Sequence, residues 1–161
     1  VVVHPGTSVP ARAWPPEHHA ALVRALVDRG RRVIVTGGPG ERTLTRRVAG
    51  TRALDLGGRT SLAALADVLA GADCVVAGNT GPAHLAAAVG TPVVSLFAPT
   101  VPPARWRPWG VRHELLCVAV PCAGCRARTC PVPGHPCLDD IGVDEVVAAV
   151  ERVSRREVVA A

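Results

Sequence analysis

The stretch ADCVVAGNTGPAHLAAAVGTPVVSLFAP, residues 72–99, decides the fold because it contains a complete strand–helix–strand unit. Residues 74–77 form a short apolar run that predicts a buried strand, and residues 93–97 predict a second one. The alanine-rich segment 83–89 between them predicts a helix. The turn before this helix offers an N-cap side chain with Pro82 just inside the helix start, and a Gly-Thr-Pro sequence ends it. The unit therefore predicts two parallel strands joined by a helix.

The corner between the first strand and the helix is a candidate binding site. In a parallel sheet such a corner directs backbone N–H groups and the positive end of a helix dipole out of the carboxyl edge, where phosphates bind. Gly81 and Pro82 bring the backbone close, and His84 lies in the first turn, where its ring faces an incoming anion. However, most strand-to-helix corners bind nothing, and a histidine at a helix start is more often a capping or solvated residue. The residues alone leave both interpretations open.

The composition of the 161-residue chain fits one domain. Hydrophobic residues make up 48% with only one Phe, so we expect a core of Val, Leu, Ala and Ile, as is typical of parallel strands buried on both faces. No apolar run approaches the roughly 20 residues of a membrane span, so we expect a soluble domain without a transmembrane segment. The chain starts Val-Val-Val and contains no Met, which indicates part of a longer protein.

The net charge of +5 constrains the kind of partner. The arginines are scattered and no series of stacking aromatic residues accompanies them, so we expect no nucleic-acid partner. The charge is compatible with an anionic small molecule or with an acceptor in a membrane.

The rest of the chain alternates between strand and helix patterns. Further strands are expected at residues 1–4, 32–36, 53–56 and 113–118, and further helices at 16–29, 41–49, 62–70 and 143–153. This order predicts a Rossmann-like three-layer α/β/α sandwich with a parallel sheet of about six strands. The proline-rich segment 98–110 predicts no regular structure. Its two tryptophans, Trp106 and Trp109, either cover a ligand or pack an interface, and we favour packing.

Two further loops follow predicted strands. Residues 5–16 contain Thr7 and Ser8, whose hydroxyl and backbone N–H groups can wrap a phosphate, and Arg12, which can reach it as a cation. The loop that begins at Gly37 leads to Glu41, where a carboxylate can accept ribose hydroxyls. The alternatives are an ordinary surface loop in the first case and a favourable acid at a helix start in the second.

The cysteines in the predicted Cys-rich loop, residues 117–138, have metal-ligand spacing. Cys122, Cys125, Cys130 and Cys137 follow the pattern C-x2-C-x4-C-x6-C, which can close a tetrahedral zinc site. Reduced or partly disulfide-bonded loop thiols are the alternative.

Several motifs together resemble glycosyltransferase family 9, which contains the lipopolysaccharide heptosyltransferases. The match runs through His-Pro-Gly-Thr-Ser at 4–8, Arg-Ala-Trp-Pro at 12–15, Gly-Gly-Pro-Gly-Glu at 37–41 and the central segment 79–100 to a Cys-Leu pair at 137–138. The resemblance implies the GT-B arrangement of two Rossmann-like domains facing each other across a cleft. It identifies residues 1–161 as the C-terminal, nucleotide-sugar-binding domain, with the N-terminal acceptor domain absent from this chain.

The resemblance also implies a donor site. Its residues would be Thr7, Ser8 and Arg12 on the diphosphate, Glu41 on the nucleoside, and Asn79, Thr80, Gly81, Pro82 and His84 at the central corner. Many members carry Asp where this chain has Asn79, which predicts a donor preference different from that of the heptosyltransferases. The catalytic base is expected in the N-terminal domain. No cofactor is expected to be required, and a structural zinc ion is the one metal considered.

The predicted function is transfer of a sugar from an ADP-heptose-like or related nucleotide sugar to a glycan or glycolipid acceptor such as the lipopolysaccharide core. The N-terminal domain of the same polypeptide is the expected partner. The expected location is the cytoplasm, with peripheral association at the inner face of the cytoplasmic membrane. The alternatives are a sugar-nucleotide epimerase or hydrolase of the same fold and a non-catalytic nucleotide-sugar-binding domain.

Overall fold

In residues 1–154, which the computed structural model describes, six parallel strands form one sheet. They are β1 (Val2–His4), β2 (Ile34–Val35), β3 (Leu54–Asp55), β4 (Val75–Gly78), β5 (Val93–Leu96) and β6 (His113–Leu116). Their spatial order is β3-β2-β1-β4-β5-β6, so the chain order reverses between β1 and β4. Ligands of such doubly wound sheets bind at the carboxyl ends of the strands beside that reversal. The predicted fold class is confirmed, and residues 155–161 of the predicted domain lie outside the described residues.

Helices cover both faces of this sheet. They are α1 (Pro16–Asp28), α2 (Arg42–Ala49), α3 (Leu62–Ala70), α4 (Gly81–Ala88), α5 (Pro103–Trp106), α6 (Pro136–Asp139) and α7 (Val143–Ser154). Short 3₁₀ turns at Pro10–Arg12 and Pro39–Glu41 follow β1 and β2. Ser61 caps α3, because its hydroxyl accepts the Ala64 N–H at 3.2 Å.

Alternate residues of the central strands pack on opposite faces. In β1, Val3 joins a core formed with α1, α2 and α7, whereas Val2 joins a second core formed with α3 and α4. In β4, Val76 belongs to the first core and Val75 to the second. All four residues are at most 1% exposed. Because both faces are buried, these strands are continuous apolar runs rather than alternating ones, as parallel sheets require.

The structure corrects one detail of the sequence-based expectations. The segment 98–110 contains one helical turn, α5, because Pro103 occupies the first position of a helix and lacks only an N–H that would be unpaired there. Trp106 and Trp109 are 51% and 85% exposed in this domain, and packing of their rings at an interface stays a prediction. Leu62 is 73% exposed, so the buried stripe of α3 does not include it.

Trp14 anchors the loop after β1 to the first core. It is 2% exposed, and its indole Nε1 donates to the Ile141 carbonyl at 3.1 Å. The rings of His18 and His19 on α1 pack edge-on against it, with centroid distances of 5.3 and 4.8 Å. The loop from Pro5 is therefore fixed at its far end by a buried aromatic cluster.

We expect stability to fall at acidic pH because of His19, which is 2% exposed. Burial, and after it the nearby His4 and His18, lower the pKa of His19 to about 3. The unfolded chain takes up this proton below its ordinary pKa of about 6.5, so stability is lost as the pH falls from there toward 3. Between pH 7 and pH 5 the loss from this residue should be about 2 kcal/mol.

Urea unfolding followed by circular dichroism across this pH range tests the expectation. His19→Gln should flatten the pH dependence, whatever its effect on stability at pH 7. A slope as steep as that of the unchanged chain would contradict the assignment. Burial also lowers the pKa of His4, so part of the slope should remain.

Candidate functional site

The loop after β1 meets the corner after β4 at the carboxyl edge of the sheet. The link is Arg12, which is the last residue of the 3₁₀ turn and extends its guanidinium across the reversal of strand order. Its Nη1 donates to the Asn79 carbonyl at 3.3 Å, and its Nε donates to the Thr100 hydroxyl at 3.4 Å. Three segments far apart in sequence thus converge on one cation.

The backbone at this corner leaves room for an anion. Arg12 is half-buried and has five N–H donors, of which two contact Asn79 and Thr100. The N–H of Gly81, the first residue of α4, has no carbonyl one turn earlier to accept it, and Gly81 is exposed. The Thr80 N–H already donates to the Gly78 carbonyl at 2.8 Å, and Pro82 has no N–H. Arg12 and the Gly81 N–H therefore both offer donors at this corner.

Asn79 lies beneath the corner rather than on its surface. It is 5% exposed, and its Nδ2 donates to the Ala98 carbonyl at 3.3 Å. Its Oδ1 is buried and has no partner among the described residues. The amide therefore holds the corner to the segment after β5, and its predicted contact with the donor sugar stays a prediction.

The remaining residues predicted for the donor site differ in availability. The Thr7 hydroxyl is engaged within its own loop, where it accepts the Val9 N–H at 3.1 Å and lies 3.2 Å from the Val9 carbonyl. Ser8 and His84 are exposed, and the structure gives their side chains no hydrogen-bond partner among residues 1–154. The Thr80 hydroxyl is 3.4 Å from the Gly78 carbonyl, to which it donates. Their binding roles stay predictions.

Glu41 connects the loops after β1 and β2. One of its carboxylate oxygens, Oε2, accepts the Gly38 N–H at 2.6 Å. A Cβ placed on Gly6 would lie 2.1 Å from the other oxygen, so the carboxylate sits directly against that glycine. Glu41 is half-buried. Its carboxylate already contacts both loops, so the predicted contact with ribose would have to use the same carboxylate. This structural role was not predicted from the sequence.

His4 is buried next to the Glu41 carboxylate. Its Nδ1 lies 3.0 Å from the Thr36 hydroxyl, and its Nε2 lies 3.9 Å from the Glu41 carboxylate. Burial lowers the pKa of His4, while Glu41 opposes the shift. A neutral His4 therefore holds the ends of β1 and β2 together beneath the site.

Thr100 is a site residue that the sequence-based list of donor ligands lacked. It is 3% exposed, and its hydroxyl accepts a hydrogen bond from Arg12. The signal that could have identified it was its position shortly after the predicted strand 93–97, which places it at the same edge of the sheet as Arg12.

The four cysteines of the predicted zinc site share a pocket but do not form a closed site. Cys122, Cys125, Cys130 and Cys137 line one small pocket together with Ala11, Thr100 and His135. Within residues 1–154, no three Cys, His, Asp or Glu side chains are already arranged to hold a metal ion. All six cysteines are free thiols. The expected tetrahedral site is therefore not preassembled, and metal binding stays a prediction.

A larger cavity of about 790 Å³ lies at the opposite, amino edge of the sheet, where its lining includes Val1, Val33 and Asp73. Parallel sheets bind ligands at the carboxyl ends of their strands, so we do not assign the donor site to this cavity. Among the described helices, none is long and apolar enough to cross a membrane.

Comparison with known proteins identifies the family. The sequence profile of "Glycosyltransferase family 9 (heptosyltransferase)" matches residues 1–135. Lipopolysaccharide heptosyltransferase 1 of Pseudomonas aeruginosa is 38% identical over 127 residues, which cover 78% of this chain and 36% of that protein. The solved structure of Escherichia coli ADP-heptose lps heptosyltransferase II superposes with a TM-score of 0.81 at 22% identity, covering 95% of this chain and 45% of that one.

A second solved structure, E. coli heptosyltransferase WaaC with ADP, superposes with a TM-score of 0.72 at 27% identity. It is matched over 94% of this chain and 43% of its own length, so the chain spans less than half of each of these three relatives. The profile covers most of the chain and includes the loops that carry Arg12, Glu41 and Asn79. The chain belongs to glycosyltransferase family 9, the heptosyltransferase family.

Proposed function

We propose that this protein transfers a sugar from an ADP-heptose-like or related nucleotide sugar to a hydroxyl of a glycan or glycolipid acceptor such as the lipopolysaccharide core. The 161-residue domain holds the donor. An N-terminal domain of the same polypeptide supplies the acceptor site and the catalytic base. Family membership supports the reaction class, and two relatives are described by name as acting with an ADP-linked donor or as holding ADP.

The observation that carries the proposal is the position of Arg12. A guanidinium that bridges the corner after β4 and Thr100 lies where doubly wound sheets bind nucleotide phosphates. Its planar N–H groups suit the oxygens of a diphosphate, and its positive charge attracts them.

This placement also suits the chemistry of transfer. In the reaction, the bond between the sugar carbon and the diphosphate oxygen breaks, while the acceptor oxygen bonds to that carbon and gives its proton to a base. Negative charge then develops on the departing diphosphate. Arg12 and the Gly81 N–H at the start of α4 would stabilise that charge. The base is assigned to the N-terminal domain, as the resemblance to the family implies.

Sugar transfer by the complete protein, compared with the isolated domain, tests the proposal. The complete protein should release ADP only when a lipid-linked core acceptor is present, whereas the isolated domain should bind ADP without turnover. Isomerised or hydrolysed nucleotide sugar without an acceptor would favour the epimerase or hydrolase alternative. If the complete protein binds ADP but catalyses no reaction, the alternative of a non-catalytic nucleotide-sugar-binding domain would be favoured. A panel of ADP-linked heptoses and hexoses, repeated with Asn79→Asp, tests the donor preference.

We further propose that the protein works in the cytoplasm, in peripheral contact with the inner face of the cytoplasmic membrane. Residues 98–138 contain five arginines and one acidic residue, Glu114, so this segment carries four of the five net positive charges. The exposed rings of Trp106 and Trp109 lie in the same segment. Tryptophan rings suit the membrane interface, and each basic residue near an anionic surface adds about 1 kcal/mol. Cosedimentation with anionic vesicles, but not neutral ones, should detect this contact and should decrease when both tryptophans are changed to alanine.

A further inference from the structure

A small pocket near the end of β3 is lined by three arginines. They are Arg42, Arg46 and Arg59, which we call the arginine cluster, and Asp55 and Gly57 line the pocket with them. The volume of the pocket is about 150 Å³. Sites for whole small molecules occupy roughly 300–1,000 Å³, so this pocket can take one charged group rather than a complete nucleotide sugar.

Strand order places this pocket away from the corner that carries Arg12. Asp55 is the last residue of β3, which is the outermost strand on one side of the sheet, and β2 separates it from β1. Neighbouring strands lie about 4.8 Å apart, so the end of β3 is roughly 10 Å from the end of β1. Arg12 extends from β1 in the other direction, toward the segments that follow β4 and β5. No residue predicted for the donor site lines this pocket.

The first arginine of the cluster, Arg42, is held in place by the loop after β3. Its Nη2 donates to the Gly58 carbonyl at 3.0 Å. A Cβ on Gly58 would lie 2.5 Å from Arg42 Nε, so the guanidinium can lie against this backbone only because residue 58 is a glycine. Arg42 is also the first residue of α2, where a cation opposes the helix dipole, so helix stability does not explain its position. The Arg42 guanidinium is therefore oriented before a ligand binds.

The other two arginines of the cluster have no partner within the described chain. Arg46 lies one turn after Arg42 on the same face of α2, and Arg59 lies on the loop after β3. Both are exposed, and neither side chain has a hydrogen-bond or ion-pair partner among residues 1–154. Their guanidinium groups are available to a ligand without any contact having to break.

Arginines near the pocket that do not line it are paired with acids. Arg47, the residue after Arg46 on α2, lies 3.6 Å from Glu17, and Arg52 pairs with Asp28. Like charges one helical turn apart repel each other, so the unpaired Arg42 and Arg46 destabilise α2. An anion bound in the pocket would remove this repulsion.

The carboxylate of Asp55 determines which anion fits best. One of its oxygens accepts the Gly57 N–H at 2.9 Å, and it forms no ion pair with the three arginines. Three guanidinium groups and one carboxylate leave two net positive charges in the pocket. A phosphate group carries about 1.5 to 2 negative charges at pH 7, whereas a carboxylate carries only one. Planar guanidinium groups also match the oxygens of phosphate, so both charge and geometry favour a phosphate ligand.

We propose that Arg42, Arg46 and Arg59 bind one phosphate group, at a site distinct from the donor edge. Arg42 provides a fixed donor group, and Arg46 and Arg59 provide the unpaired positive charges. Because Arg46 and Arg59 are exposed, the bound phosphate can be a free ion or a group attached to a sugar. Binding here requires neither the nucleotide sugar nor the transfer reaction, so this inference does not depend on the proposed function.

Titration of the ¹⁵N-labelled chain with inorganic phosphate at constant ionic strength, followed by NMR, tests the site. The amide signals of Gly57 and Arg59 should shift and saturate. Arg46→Ala removes an exposed guanidinium from the pocket and should weaken binding at least about tenfold. Arg47→Ala is the matched control, because Arg47 lies on the same helix and does not line the pocket. Shifts that do not saturate, or equal losses for the two variants, would overturn the site.

Two further titrations identify the source of the phosphate and separate this site from the donor edge. If glucose 6-phosphate binds at least as tightly as inorganic phosphate, the site takes a phosphate carried on a sugar, and weaker binding assigns it to the free ion. Saturating ADP should leave the affinity for inorganic phosphate unchanged. Because Arg42 directly follows Glu41, displacement of phosphate by ADP would show instead that the cluster belongs to the donor site. Saturable phosphate binding by a chain that does not bind ADP would contradict the proposed function and leave this inference intact.

Discussion

Arg12→Ala should weaken the binding of ADP to this chain by roughly 10- to 100-fold, which corresponds to about 1–3 kcal/mol for a lost charge-assisted contact. The guanidinium is already oriented by Asn79 and Thr100, so little ordering of the side chain opposes binding. No second cation is linked to these two residues by a hydrogen bond in the described part of the chain. Isothermal titration calorimetry with ADP measures the change.

Two variants make this measurement specific. Arg12→Lys keeps the charge but not the planar set of donors, so its affinity should fall between those of the unchanged chain and Arg12→Ala. Arg24→Ala removes an exposed arginine on α1 and should leave ADP binding unchanged, because it alters only the net charge. If Arg24→Ala and Arg12→Ala weaken ADP binding equally, the affinity depends on the net charge of the chain rather than on a specific site. Unchanged binding by Arg12→Ala would place the site elsewhere.

Trp14→Ala should lower the free energy of unfolding by about 3–5 kcal/mol, the largest stability effect that we expect from a single change. The ring is 2% exposed, and removing it leaves a cavity in the first core beside the rings of His18 and His19. The Ile141 carbonyl also loses its donor. Urea unfolding monitored by circular dichroism at pH 7 measures the loss.

Trp109→Ala is the matched control for this measurement. Trp109 is 85% exposed, so its removal should change the free energy of unfolding by no more than about 0.5 kcal/mol. Trp14→Phe keeps most of the buried ring and loses the hydrogen bond to Ile141, so it should fall between the two alanine variants. Similar losses for Trp14→Ala and Trp109→Ala would show that Trp14 is not a core anchor.

The repeating strand and helix patterns were enough to predict the layers of this fold. Buried parallel strands need continuous apolar runs, and the helices between them need apolar residues at helical spacing, so both signals are local. The exposure of Trp106 and Trp109 was not predictable in the same way. A tryptophan in a proline-rich segment has no periodicity that assigns it to a face.

The sequence by itself determined that several candidate ligands follow predicted strands, and hence that they lie at one edge of the sheet. Only the tertiary structure decided which of them are available there. Arg12 bridges Asn79 and Thr100, whereas the Asn79 amide is directed to Ala98 and the Glu41 carboxylate lies against Gly6. The physical reason is that the order of strands determines at which edge of the sheet a residue lies. The direction of its side chain depends instead on contacts between loops that are up to 88 residues apart in sequence. Such contacts leave no local pattern in the sequence.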